Sequence, residues 1–218
     1  MRRLLCLCGL IHNDSLLRIL SDLKVNFANR VLQKHIQFDV PLATVDPSDL
    51  PTHILAIATP HLETSQPQRT TLYLTHETIM VAYCAHLSTL PSSRIIDPNA
   101  NPTRLILPVH SLRIPSPQTY PQLIKYLYTK DTQLLLASIL PIKPSSSMPD
   151  PAGRLRLSVA LARAFTSRTL LQYAMMVNGI WRNTCALGIF DDGLWAVMDA
   201  AWDIIISALS IASVGRHG

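Results

Sequence analysis

The side chains in this sequence able to hold a metal ion or move a proton are eight histidines, four cysteines and fourteen acidic residues. Their spacing does not assemble them. His76 and His86 are ten residues apart, about 1,000° around a helix, so they share no tight face. His53 and His61 flank an apolar run and a proline. There is no His-Glu-x-x-His, His-x-His or paired Cys–His spacing. Cys6 and Cys8 are too close for an ordinary disulfide and no Cys-x-x-Cys pair occurs, so Cys6, Cys8, Cys84 and Cys185 read as small buried hydrophobes of a reduced, intracellular protein. A serine nucleophile would want a Gly-x-Ser-x-Gly elbow, which is absent. With seven glycines there is no phosphate-cradling loop of the Gly-x-Gly-x-x-Gly or Gly-Lys-Ser/Thr kind. Asp191-Asp192 and Asp199/Asp203 admit a reading as paired acids, but Asp191 is better placed to cap a helix and the others to line its solvated face. The sequence therefore assigns no catalytic residue, no metal ligand and no cofactor site, and the chain is expected not to be an enzyme. An enzyme whose site is written in no motif stays open.

What remains is recognition chemistry. Trp181, Trp195 and Trp202 all lie near the C-terminal end, and Trp195 and Trp202, seven apart, share a helix face. Aromatics so placed serve either as core or as interface anchors, where Trp and Arg carry a disproportionate share of binding energy. Arg182 adjoins Trp181. Arg154, Arg156, Arg163 and Arg168 form the densest basic set, with Arg156 and Arg163 seven apart on one helix face. The candidate partner interface is Trp181, Arg182, Trp195, Trp202, Arg156 and Arg163. Direct nucleic-acid binding through the helix carrying Arg154 to Arg168 is the alternative, and a solvated face explains those arginines more simply.

Composition fits a protein that meets other proteins. The 218 residues are 48% hydrophobic and 15% charged, with net charge +5 and pI about 9.2. Glutamate occurs only at positions 63 and 77, so helix surfaces rich in Glu–Lys pairs are scarce and much helix surface must be covered by other helices or by a partner. The N-terminus has a basic start and a short apolar run without a small-residue cleavage site, which argues against targeting. Residues 194–214 are apolar but include Asp199 and Asp203, a poor membrane span. The expected location is intracellular, nuclear or cytoplasmic, away from membranes.

The elements that must position these residues follow from periodicity. Asp14 or Ser15 caps a helix to about Ile36, with Leu16, Leu20, Leu23, Phe27 and Val31 on one face. Three prolines in residues 40–51 mark loop. Residues 54–58 read as a strand and 64–69 as a polar turn. Thr75 is a candidate cap for a helix over 76–87. Residues 105–107 and 109–114 read as a strand broken at Pro108, implying an edge or a bulge. Ser116-Pro117 starts a helix with Tyr120, Leu123, Ile124, Leu127 and Tyr128 as its stripe, and Asp131 caps another over 132–140. Residues 141–151, with four prolines and three serines, form a connector. Three helices follow: 154–165; 169–187, capped by Ser167 and stopped by Gly188; and one capped by Asp191 through about 212. On the last, Leu194, Met198, Ala201, Ile205 and Ala208 line one side, and Asp199, Asp203, Ser207 and Ser210 the other.

Two resemblances sharpen this reading. A strand at 103–107, then Tyr120 to Tyr128 ending in Leu-Tyr-Thr-Lys, then a short helix, with 76–87 before them, resembles the BTB/POZ interaction domain over residues 72–140. The runs Pro-Val-His-Ser-Leu-Arg-Ile-Pro-Ser-Pro at 108–117, Val-Asn-Gly-Ile-Trp-Arg-Asn-Thr-Cys-Ala-Leu-Gly-Ile at 177–189, Leu194-Trp195 and Ala200-Ala201-Trp202-Asp203 resemble the Clampless family of basidiomycete fungi. That resemblance implies a regulator of dikaryon and clamp-cell formation acting through protein partners, including transcription regulators. It brings no catalytic residues. The implied fold is α+β and helix-rich: an N-terminal amphipathic helix and loop (1–50), a BTB/POZ-like unit (51–140), the connector (141–151) and a helical C-terminal region packing on the core (152–218). The implied role is a non-enzymatic adaptor; a homo-oligomer stays open.

Overall fold

A computed structural model of the chain describes residues 34–39, 50–58, 70–87, 89–91, 104–142 and 150–214. The expected α+β, helix-rich class holds, and the chain divides into two compact units, 1–117 and 118–218. That division falls inside the span assigned above to a single 51–140 domain.

The first unit is a four-stranded sheet in the order β1-β4-β2-β3, made of β1 (His35–Asp39), β2 (His53–Ala58), β3 (Thr70–Thr75) and β4 (Arg104–Leu112). β2 and β3 form an antiparallel pair from His53↔Thr75 to Ala58↔Thr70. β4 runs parallel to β2 from Ile54↔Val109 to Ile57↔Leu112 and antiparallel to β1 from His35↔Pro108 to Asp39↔Arg104. Ile54, Ala56, Leu72, Leu74 and Leu107 bury one face as a cluster, with Ile36 and Val109 packed against it. Burying each large member contributes about 1.5–3 kcal/mol. Leu55 and Ile57, which alternate to the other face, are buried as well.

Two expectations change here. The helix expected to reach Ile36 gives way at its end to β1, and its earlier residues lie outside the described ones. His-Ile-Gln-Phe-Asp alternates polar and apolar residues, a strand pattern that the helical spacing upstream masked. Pro108 also does not mark an edge, since β4 lies between β1 and β2. The Val109 N–H donates to the Lys34 carbonyl at 2.9 Å, so alternation turns the Pro108 nitrogen toward β2, whose ladder with β4 begins only at Val109. The missing donor falls just outside the ladder.

A short helix, α1 (Glu77–Tyr83), follows β3. It is shorter than the 76–87 expected, and Thr75 is the last residue of β3 with His76 at the cap position. The capping acceptor comes from another segment: the Glu77 N–H donates to Thr52 Oγ1 at 2.7 Å.

The second unit is helical. A 3-10 turn (Pro117–Thr119) leads into α2 (Tyr120–Thr129), followed by α3 (Thr132–Ile139), α4 (Pro151–Ala164), α5 (Ser167–Leu187) and α6 (Asp192–Val214). Ser116 therefore precedes a 3-10 turn, and the α-helix begins three residues after Pro117. α2 buries Tyr120, Leu123, Tyr126, Leu127 and Tyr128, with Ile124 only half-buried. Asp131 caps α3 as expected, its carboxylate accepting the Leu134 N–H at 2.9 Å. α4 starts earlier than expected because Asp150 caps it, accepting the Gly153 N–H at 2.7 Å with Pro151 in the first turn. α5 likewise starts earlier, capped by Thr166 and not by Ser167.

Gly188 ends α5 in the left-handed conformation (φ 65). Its N–H bonds to Cys185 and the Ile189 N–H to the Thr184 carbonyl at 3.0 Å, a Schellman closure with Ile189 buried beneath it. α6 packs on α3, α4 and α5. Leu194, Met198, Ala201, Ile205 and Ala208 are fully buried on its inner side, while Asp199, Asp203, Ser207 and Ser210 are exposed on the other. Residues Asp192–Ser213 have mean hydropathy 1.6, so length and composition alone would let them cross a membrane, against the sequence reading. The one-sided burial explains that apolarity as core packing. Ser158 ties α4 to α6, its hydroxyl lying 3.0 Å from the Ile204 carbonyl.

Candidate docking surface

Among the described helices, α5 exposes the most large apolar side chains. Its inner side buries Leu170, Ala174, Val177, Ile180, Asn183, Thr184 and Leu187. Its outer side exposes Leu171 (53%), Met175 (73%) and Trp181 (38%), with Arg168, Asn178, Arg182 and Cys185 between and beyond them. Leu171, Met175, Asn178 and Arg182 follow spacings of four, three and four, a stripe along one face about 16 Å long. Phe190, just past α5, is 83% exposed. Large apolar side chains at neighbouring solvent-facing positions mark interaction sites more often than scattered single ones do.

The predicted site residues divide between this face and others. Trp181 and Trp195 come together, their ring centroids 5.7 Å apart and their planes at 85°, an edge-to-face pair joining α5 to α6. Arg182 is exposed beside Trp181. Trp202 lies two turns beyond Trp195 on α6 and is half-buried. Arg156 and Arg163 belong to α4 and are exposed, Arg156 with its guanidinium 4.0 Å from the Asp150 carboxylate. Arg154 is engaged by Asp203 at 3.1 Å. Leu171 and Met175 are not distinguishable by sequence, because apolar residues in an amphipathic helix read as core, and Phe190 lies in the turn past α5. The signal was present in the paired apolar positions Leu170-Leu171 and Met175-Met176, which give α5 more apolar surface than one buried stripe needs.

Asp191 organises the turn below this face. It caps α6 by accepting the Leu194 N–H at 2.9 Å, and it also accepts from Tyr126 Oη at 2.7 Å and from Lys130 Nζ at 2.7 Å. Burial alone would push its carboxyl up, but the bonds from Lys130, Tyr126 and Leu194 outweigh it and hold the carboxyl below its ordinary value. Lys130 itself ends α2 in the left-handed region (φ 53), an unusual conformation for a residue with a Cβ.

A cleft of about 220 Å³ between α2 and α3 is lined by Lys125, Tyr126, Asp131, Ser138 and their neighbours. Ligand pockets generally hold about 300–1,000 Å³. No group of three or more His, Cys, Asp or Glu side chains fit to bind a metal occurs among the described residues. In the sheet unit, buried His53 places Nε2 2.7 Å from the Pro91 carbonyl and Nδ1 3.0 Å from Thr52 Oγ1. Burial, with His53 nearby, pushes the His110 imidazole below its ordinary value.

Comparison with known proteins supplies the family. Residues 11–115 match the Clampless protein 1 N-terminal domain, and residues 133–217 match the Clampless protein 1 C-terminal domain. The chain belongs to the Clampless family. It is similar to Clampless protein 1 of Cryptococcus neoformans var. neoformans serotype D, at 26% identity over 106 residues in each of strains JEC21 and B-3501A. That stretch covers 49% of this chain and 21% of the relative, so the chain matches about a fifth of the length of these curated relatives. No solved structure matches the chain.

Proposed function

We propose that this member of the Clampless family is a non-enzymatic regulatory adaptor of fungal sexual development, serving dikaryon and clamp-cell formation by binding protein partners, transcription regulators among them. The family supports the developmental part of this reading. The observation that supports the binding part is the outer face of α5, where Leu171 and Met175 are exposed one turn apart and Trp181, backed by Trp195, is exposed further along the helix. We also propose that residues 51–140 are BTB/POZ-like. The element order β2, β3, α1, β4, α2, α3, with β4 parallel to β2, supports this.

Affinity capture from dikaryotic cells tests the binding part. The tagged wild-type chain and the Trp181→Ala variant are compared at matched expression and after their melting temperatures are measured. The proposal expects a partner set that is retained by the wild type and lost by a folded variant. Identical partner sets, or loss only in proportion to unfolding, would refute it.

A further inference from the structure

We infer that the occupant of the α5 face is an acidic amphipathic helix supplied by a partner protein, an inference that rests on the adaptor reading above and narrows it. Charge decides the sign. Residues 151–190 contain Arg154, Arg156, Arg163, Arg168 and Arg182 and not one aspartate or glutamate. Arg154 is neutralised by Asp203, and Arg156 stands near Asp150. Arg163, Arg168 and Arg182 have no ion pair among the described residues. Arg168 and Arg182 thus bracket exposed Leu171 and Met175 with positive charge that no ion pair among the described residues offsets.

Shape decides the form. Arg168 and Arg182 are fourteen residues apart on a continuous helix, about 21 Å along its axis. A partner helix of about four turns spans that distance, laying its own apolar stripe on Leu171 and Met175 and meeting the arginines with carboxylates near its ends. A second copy of the chain fits less well. A twofold antiparallel pairing of two α5 faces would bring Arg168 against Arg182 across the axis, like charge on like. Nucleic acid fits less well too, because Leu171 and Met175, at 53% and 73% exposed, would face phosphates between the arginines.

The test uses the full-length chain and two synthetic fluorescent peptides of about 18 residues, each with leucine at i, i+4, i+7 and i+11, one carrying glutamates and the other lysines on the flanking positions. Fluorescence anisotropy is expected to show the glutamate peptide binding at least about tenfold tighter than the lysine peptide, and weakening as salt rises. Met175→Asp should cut its affinity about tenfold or more, and Arg168→Glu with Arg182→Glu should invert the preference. Leu171→Asp serves as the second variant should Met175→Asp fail to fold.

A lysine peptide that binds as tightly and is lost with Met175→Asp overturns the acidic occupant while leaving the docking face standing. Failure of both peptides overturns this inference but not the adaptor reading, which partner capture tests separately. Binding that ignores Met175→Asp, sedimentation as a dimer broken by Met175→Asp, or displacement of the glutamate peptide by a DNA duplex each overturns it as well.

Discussion

Trp181 on α5 stands edge-on to Trp195 on α6, their centroids 5.7 Å apart. Trp181 is still 38% exposed, so one ring links two helices and offers its remaining surface outward. Such pairs are worth about 0.5–1.5 kcal/mol beyond the area they bury. A double-mutant cycle over Trp181→Leu and Trp195→Leu, read by urea unfolding, should return a coupling in that range. Strict additivity would mean the rings do not support each other.

Asp191 and Lys130 predict a pH dependence. The carboxyl is held below its ordinary value in the folded chain. Its stabilisation is therefore complete above the unfolded value of about 3.9 and is lost as pH falls through the folded value. Asp191→Asn retains an acceptor for the Leu194 N–H but removes the charge facing Lys130. It should cost about 1–3 kcal/mol at neutral pH and flatten the dependence of melting temperature on pH below about 4. An unchanged acid limb in thermal scans would show that the pair does not form.

Gly193 predicts a rescue. A Cβ at this position would lie 2.8 Å from Tyr126 Oη and 3.3 Å from Asp191 Oδ1. Gly193→Ala should destabilise the chain by about 1–3 kcal/mol through overpacking. Tyr126→Phe alone loses a hydrogen bond to a carboxylate, at about 1.5–3 kcal/mol. In the Gly193→Ala background the same change also removes the clash, so it should cost clearly less. Equal costs of Tyr126→Phe in both backgrounds, measured by denaturant unfolding, would place the hydroxyl elsewhere.

Thr52 predicts a local weakness in the sheet unit. Its hydroxyl accepts the Glu77 N–H and lies 3.0 Å from His53 Nδ1. Thr52→Val keeps the shape and orphans both partners, for a loss of about 1–3 kcal/mol, while Thr52→Ser should preserve most of the stability. Equivalent melting temperatures for the valine and serine variants would contradict this network.

The parts legible in the sequence are those whose causes are local. Asp131 and Asp191 sit one turn before the N–H groups they cap, Gly188 supplies a conformation that disfavours a Cβ, and the buried side of α6 repeats at three and four residues. The family was legible as well, because the runs around Trp181 and Trp202 are distinctive. Nonlocal pairing was not legible. β1 is a strand because β4, some seventy residues later, pairs with it, and Pro108 is tolerated in an inner strand only because of where the β2 ladder starts. Lys130 and Asp191 are 61 residues apart, and no periodicity announces their contact. At the proposed docking face Trp181 is visible by type, whereas Leu171 and Met175 are hidden by the ordinary rule that apolar helix positions face inward.

The docking claim is tested most directly at Met175, which is 73% exposed. Clamp-cell formation is scored in a strain lacking the gene and complemented with Met175→Asp, alongside the thermal melt of the purified variant. The account predicts a melting temperature close to that of the wild type together with loss of complementation. Full complementation by a normally folded Met175→Asp chain would contradict it.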